Sequence, residues 1–270
     1  ERQRRSRLVN RPRAAAPAVC CRFVSTARPE APIVVICPLE HERNVLTQAL
    51  GARSARFRWV VSGPGGANVR RALNEIDRAS VELVILAGCA GGLMAGAGPI
   101  SIASEVVDGS TPSTAGASIA QRFPRPPSII DSWVPQSDEL TALIDRRAIV
   151  GVDQVVASVE QKRALCVRTG CVMVDTESHA FAARATELRL PWCVLRGVSD
   201  GHCHTLPLGC ETWIDEHGST RLARVLASLA RRPWMIADVI KLGSRTKGAL
   251  QGVARVLAKV DQVQTIEPAR

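Results

Sequence analysis

Two carboxylates in the stretch VMVDTESHAFAARATELRLPWCVLRGVSDG, residues 172 to 201, stand where chemistry could be done. Glu177 follows a short apolar run, Val172 to Asp175, and opens a helical stretch with Ala180, Ala183 and Leu188 on one face. Asp200 sits just past a second apolar run, Trp192 to Val198, rich in β-branched residues. In a parallel α/β sheet the carboxyl ends of strands share one edge, and ligands bind along it. Glu177 and Asp200 are therefore expected to face one pocket, an arrangement suited to acid–base and electrostatic catalysis. Each also has a plainer use: a carboxylate at a helix start complements the dipole, and Asp before Gly201 suits a turn.

The elements that must hold these groups alternate from residue 33 onward. Strands are expected at 33–37, 59–62, 83–87, 100–107, 149–157, 171–175 and 192–198, and helices at 41–50, 67–79, 137–147, 159–169 and 177–188. The alternation predicts an α/β fold, a single mixed, largely parallel sheet flanked by helices. Residues 108–136, rich in Ser, Pro and Gly, read as a long surface loop. Three regions follow: a basic N-terminal arm (1–32) expected to be disordered, a catalytic domain (33–218), and basic amphipathic C-terminal helices (219–270) packed on that domain. In the last region Met235, Ile236, Val239, Ile240 and Leu242 form one apolar stripe, and Leu250, Val253, Val256, Leu257 and Val260 form another. Periodicity favours helices packed on the sheet, and Lys and Arg on the polar side keep an interfacial membrane helix open.

Several segments, in order, resemble the purine nucleoside phosphorylase and methylthioadenosine nucleosidase superfamily. They are ICPLEHERNVL (36–46), VVSGPGGANVRRAL (60–73), VELVILAGCAGGL (81–93) and the VDTESHA…P-x-x-x-x-R-x-x-SD pair (174–200). GVDQVVA (151–157), KRALCVRTG (162–170) and VDTESHA (174–180) are most similar to hopanoid-associated phosphorylases. The resemblance implies cleavage of an N-glycosidic bond with release of adenine, and adenosylhopane as substrate. Asp200, preceded by Ser199, would protonate purine N7, while Glu177 would accept the ribose hydroxyls and stabilise a positive sugar. Glu42, with Glu40 and His41 as neighbours in register, would orient a nucleophilic water. The turn Ser62, Gly63, Gly65, Gly66 would turn its amides to the nucleophile or to phosphate, and Cys89 would line the same site. Thr176 stands where the family carries Met against the ribose, and Pro99 replaces an Asp. No Arg precedes the Gly88–Cys89 turn to hold phosphate, with Arg43, Arg70 or Arg71 as substitutes. Phosphate stays open as a co-substrate; no cofactor is implied. A soluble nucleosidase for methylthioadenosine, S-adenosylhomocysteine or futalosine is the second enzymatic reading, and a non-catalytic nucleoside-binding protein on the same fold is the third.

Composition narrows the partners. Nine cysteines, odd in number and without a C-x-x-C pair, suit reduced thiols in a cytoplasm. His202, Cys203, His204 and Cys210 lack the spacing of a zinc site, so no metal is expected. Residues 1–32 carry eight Arg against two Glu, net +6, and residues 219–260 carry nine Lys/Arg against one Asp, net +8. A chain with no Tyr, four Phe and no nucleic-acid motif is a poor nucleic-acid binder. The expected partners are a small or lipid-linked nucleoside, a membrane periphery met by the basic helices, and, by resemblance, further copies of the chain.

Overall fold

Ile33–Cys37 is a run of five buried residues with no polar face, the pattern of a strand covered on both sides. The computed structural model describes residues 33–110, 120–128, 130–133 and 139–259. The basic arm expected at 1–32 lies outside them. In chain order the elements are β1 (Ile33–Cys37), α1 (Glu40–Leu50), β2 (Phe57–Val61), α2 (Gly66–Asn74), β3 (Leu83–Gly92), β4 (Ile100–Ile102), β5 (Glu105–Asp108), β6 (Arg122–Pro124), α3 (Ile130–Trp133), β7 (Ile144–Asp145), β8 (Ile149–Gly151), α4 (Val159–Thr169), β9 (Met173–Asp175), α5 (Ser178–Glu187), β10 (Trp192–Asp200), α6 (Leu222–Arg231) and α7 (Ile236–Leu257).

The strands form one mixed sheet centred on β3. β10 runs parallel to β3, while β3 pairs in parallel with β1 over its first residues and antiparallel with β9 at Gly91 and Gly92. The sheet continues from β1 to β2, from β9 through β8 and β5 to β6, and from β10 through β4 to β7. This register meets the expectation for Glu177 and Asp200 by another route. β9 crosses the end of β3 in the opposite sense, so Val174 and Asp200 both pair with Gly91. The two carboxyl ends converge on one glycine of a mixed sheet.

Five local expectations change. The apolar run 100–107 splits at Ala103–Ser104 into β4 and β5, which join different edges. Hydrophobicity carried through the break hides it, because both halves are buried. The helix expected at 137–147 is absent over its described part; Thr141–Leu143 is a 3₁₀ turn and Ile144–Asp145 pairs with Ile100–Ser101. There the Asp145 carboxylate accepts the Gly98 amide at 3.1 Å and pairs with Arg147 at 2.6 Å, fixing an extended edge. Within 108–136, β6 pairs with β5 and α3 adds one turn, so the segment is more than loop. The strand expected at 149–157 ends at Gly151, and the helix expected at 67–79 ends at Asn74.

The C-terminal helix α7 divides along its length. Leu250, Val253, Val256 and Leu257 are buried against β10 and α1, whereas Ile236 and Ile240 near its start are exposed. Gly197 makes that packing possible, since a Cβ there would lie 2.5 Å from the Ala249 carbonyl oxygen. Gly197→Ala is expected to lift α7 from the sheet and cost about 1–3 kcal/mol. Gly243→Ala, in the same helix with nothing within 4 Å of the new Cβ, should instead gain up to about 1 kcal/mol. Denaturant unfolding of both variants checks the pair.

Candidate active site

Asp200 reaches the site through an irregularity in β10. The β3–β10 register shifts between Val198 and Asp200, so Ser199 is an extra residue and the strand turns there. The Ser199 hydroxyl donates to Asp200 Oδ1 at 2.7 Å. Asp200 Oδ2 accepts from the ammonium of Lys162 at 2.5 Å. Lys162 is fully buried, and its other two hydrogen bonds go to the Gly201 and His204 carbonyls, at 3.0 and 2.8 Å. The start of α4 fixes that lysine. Ser158 caps the helix by accepting the Gln161 amide at 3.1 Å, and Gln161 reaches back to the Ser158 amide at 3.1 Å, the two halves of a capping box. Asp200 is thus held at both oxygens, by a hydroxyl and by a desolvated cation.

Glu177 is the residue that precedes α5, and its neighbours orient it. Oε1 accepts from the Gly65 amide at 2.9 Å and the Thr176 hydroxyl at 2.5 Å, and Oε2 accepts from Arg196 at 3.2 Å. Thr176 therefore supplies a hydrogen bond to the carboxylate where the family's Met would give only contact. Arg196, in the middle of β10 and fully buried, also donates from Nε to Asp175 Oδ2 at 2.7 Å. Burial opposes its charge, yet Asp175, Glu177 and Glu42 together hold its pKa above the ordinary arginine value. Glu177 is pushed upward by burial, with Arg196 acting against the shift.

Glu42 occupies the first turn of α1. Its Oε1 accepts from the Cys89 amide at 2.7 Å and its Oε2 from the Leu39 amide at 3.0 Å. Burial raises its pKa from 4.5 to about 7, against the pull of Arg196 and of the two amides. Gly88 is required beside it: a Cβ there would lie 2.5 Å from both Glu42 Oε1 and Arg196 Nη1. The competing residues are placed elsewhere. Glu40 accepts from the Ser219 hydroxyl at 2.9 Å, and His41 is exposed.

A cavity of about 300 Å³ gathers Glu42, Cys89, Thr176, Glu177, Ser199 and Asp200. Its remaining wall is largely apolar, with Val152, Val155, Val156, Leu206 and Ile214. Pro64 lines it, whereas Ser62, Gly63 and Gly65 do not. The Ser62 hydroxyl donates to the Gly63 carbonyl at 2.8 Å and the Gly65 amide is taken by Glu177, so this turn positions the Glu177 carboxylate. Arg43 turns its guanidinium to Asn44 at 2.8 Å, and Arg70 and Arg71 are exposed. His204 Nδ1 accepts the Gly201 amide at 3.0 Å, and Cys203 is exposed. His179 Nε2 lies 3.1 Å from Asp153.

Sequence reasoning did not single out Lys162, Asp175 or Arg196. A signal was present for two of them. An arginine inside the apolar run WCVLRGV and a lysine on the buried side of a capped helix are each expensive to bury without a partner.

The family model for the phosphorylase superfamily matches residues 32–231. No curated protein matches the chain in sequence. Among solved structures, a 5′-methylthioadenosine/S-adenosylhomocysteine nucleosidase from S. pneumoniae is 20% identical with a TM-score of 0.60, over 85% of this chain and 97% of that one. The corresponding nucleosidase from Neisseria meningitidis is 20% identical, TM-score 0.62, over 86% and 99%. A futalosine hydrolase mutant of Helicobacter pylori is 15% identical, TM-score 0.62, over 86% and 99%. At these identities the structures share the fold. With the family model spanning 200 of its 270 residues, the chain belongs to the phosphorylase superfamily.

Proposed function

We propose that this protein is an enzyme that hydrolyses the N-glycosidic bond of an adenine nucleoside carrying a bulky apolar group at its 5′ carbon. The observation that carries the reading is the shared cavity of Glu42, Glu177 and Asp200, three buried carboxylates in three different environments. The apolar wall supports a 5′ hydrocarbon, and the sequence resemblance makes adenosylhopane the expected substrate. The methylthioadenosine, S-adenosylhomocysteine and futalosine named for the fold neighbours form the second reading.

Each carboxylate has one task in this mechanism. Glu42, with a pKa of about 7, takes a proton from water as the oxygen attacks C1′. Glu177, fixed by Gly65, Thr176 and Arg196, accepts the ribose hydroxyls and opposes the positive charge that grows on the sugar. Asp200 passes a proton to N7 of the departing base. That proton comes from the Lys162 ammonium: an N–H bond at Lys162 breaks, an O–H bond forms at Asp200, and the pair recovers its proton from solvent afterwards. Phosphate as the attacking group is the alternative, and comparing adenine release with and without phosphate separates the two.

Asp200→Asn should lower kcat by about 10²–10⁴ while substrate still binds. Turnover at the wild-type rate would remove Asp200 from the mechanism. Lys162→Met leaves Asp200 buried without its cation, and is expected to cost about 3–5 kcal/mol of stability as well as turnover. Combining Lys162→Met with Asp200→Asn should restore most of the stability and none of the rate. A purely structural lysine would leave the folded fraction of the single variant Lys162→Met with the wild-type kcat.

Glu42 gives the pH dependence. kcat/KM should rise with pH through about 7 as Glu42 ionises. Stability should move the other way. Because the folded pKa lies above the ordinary 4.5, the contribution of Glu42 is complete below about 4.5 and is lost as pH rises through about 7. The total is about 3 kcal/mol. Glu42→Gln should therefore match wild type in acid, exceed it in stability above about pH 8, and lose hydrolysis throughout. Urea melts across pH, paired with initial rates, measure both limbs.

A further inference from the structure

Exposed apolar side chains are concentrated in one stretch. Of eight large hydrophobic residues exposed among the described residues, five fall between residues 222 and 240: Leu222, Leu226, Trp234, Ile236 and Ile240. Trp234 is 72% exposed and Leu222 65%, and α6 has no buried residue at all. The same stretch is strongly basic. Arg221, Arg224, Arg231, Arg232, Lys241, Arg245 and Lys247 are all exposed, against Asp238 as the single acid of residues 219–247. The second half of α7 anchors this surface by burying Leu250, Val253 and Leu257 in the core.

We propose that α6 and the first half of α7 form a docking face for an anionic lipid bilayer. Charge selects this occupant. A two-fold contact with a second copy would set the same cations against themselves. The N-terminal segment of this chain, at net +6, is equally ill matched. A nucleic acid would satisfy the cations and leave a tryptophan and four aliphatic side chains in water. A bilayer of anionic lipids satisfies both: Trp234 suits the headgroup boundary, the Leu and Ile side chains enter the acyl region, and the arginines meet phosphate. The face adjoins the cavity wall. The turn Cys210–Trp213 lines the cavity through Cys210 and Glu211, while Trp213 Nε1 donates to Ser228 of α6 at 3.0 Å and the Arg221 amide donates to the Trp213 carbonyl at 2.7 Å. Docking is thus placed next to one wall of the cavity that would take a nucleoside with an apolar tail, though lipid binding itself does not depend on any catalytic reading.

The test is sedimentation of the full chain with vesicles of phosphatidylcholine alone or mixed with phosphatidylglycerol, at low and high salt. The expected result is binding to the anionic vesicles only, weakened by salt. Leu226→Glu, Trp234→Glu and Ile240→Glu should each reduce partitioning at least about tenfold, with circular dichroism and unfolding temperature unchanged because these side chains lie outside the core. Replacing Arg231 and Arg232 by Gln should weaken binding and flatten its salt dependence. Three outcomes would overturn the proposal. They are no binding of the wild type, binding indifferent to all these variants, or variants that reduce the particle mass in analytical ultracentrifugation without affecting lipid, which would make the face a contact between copies. Tight duplex DNA binding without vesicle binding would likewise assign it to nucleic acid.

Discussion

The site is organised around one buried guanidinium. Arg196 lies in the interior of β10 with no exposed surface, and such a charge is tolerated only where partners repay its desolvation. It obtains them from two directions: Asp175 at the end of β9 and Glu177 before α5, with Glu42 of α1 as a third negative neighbour. Asp175 in turn accepts the Ser178 amide at 2.9 Å, so the same ion pair fixes the start of α5. A lysine could not replace it. The planar fork addresses two carboxylates at once, where an ammonium would offer a single point of charge. Because one cation faces three acids, the balance is incomplete. Glu42 bears the deficit: burial raises its pKa, and Arg196, shared with two other acids, offsets only part of the rise.

The opposite balance holds a short way along the same strand. Lys162 and Asp200 form a one-to-one pair, with the remaining ammonium protons satisfied by two carbonyls. Three carboxylates that look equivalent in composition thus differ in how many cations each shares: Asp200 has Lys162 to itself, while Glu42 and Glu177 share Arg196 with Asp175. Glu42, raised by burial to about 7, is thereby poised to exchange a proton near neutral pH. The β-bulge at Ser199 is part of the same design, since without the extra residue Asp200 would not meet Gly91.

Much of this was legible in the residues. The alternation of apolar runs with helical stretches gave the α/β class, Glu177 and Asp200 were singled out by type and position, and Glu42 by the family resemblance with Glu40 and His41 as neighbours in register. The convergence of Glu177 and Asp200 was anticipated for an incomplete reason. β9 runs against β3, and strand direction is not encoded in the hydrophobic pattern of three buried residues. The break between Ile102 and Glu105 was hidden for a related cause, as two buried strands joined by two residues read as one. Ser62, Gly63 and Gly65 illustrate a different limit: a glycine turn announces a tight backbone, while the partner of its amides is decided by tertiary structure, here Glu177. The C-terminal stripes show the limit of periodicity itself. Both are amphipathic by sequence, and only the fold distinguishes Leu250–Leu257, which is core, from Ile236–Ile240, which is surface.

The choice between water and phosphate turns on what each demands of Glu42. Water needs the carboxylate ionised, to accept a proton as C1′ is attacked. Phosphate needs it protonated, because an anion beside a buried carboxylate raises that group's pKa further and is itself repelled. A phosphate site would therefore require a cation with capacity to spare at the Glu42–Cys89 end of the cavity. Arg43 is turned to Asn44, and Arg70 and Arg71 face solvent; Arg196 bonds Asp175 and Glu177 through Nε and Nη2, and its Nη1, beside Gly88 and Glu42, is left without a hydrogen-bond partner. The amide of Cys89 and the amide of Leu39, which would suit an anionic oxygen, are both occupied by Glu42 itself. In effect the protein has placed its own carboxylate on the two amides an external anion would use, so a phosphate would have to displace Glu42 to reach them.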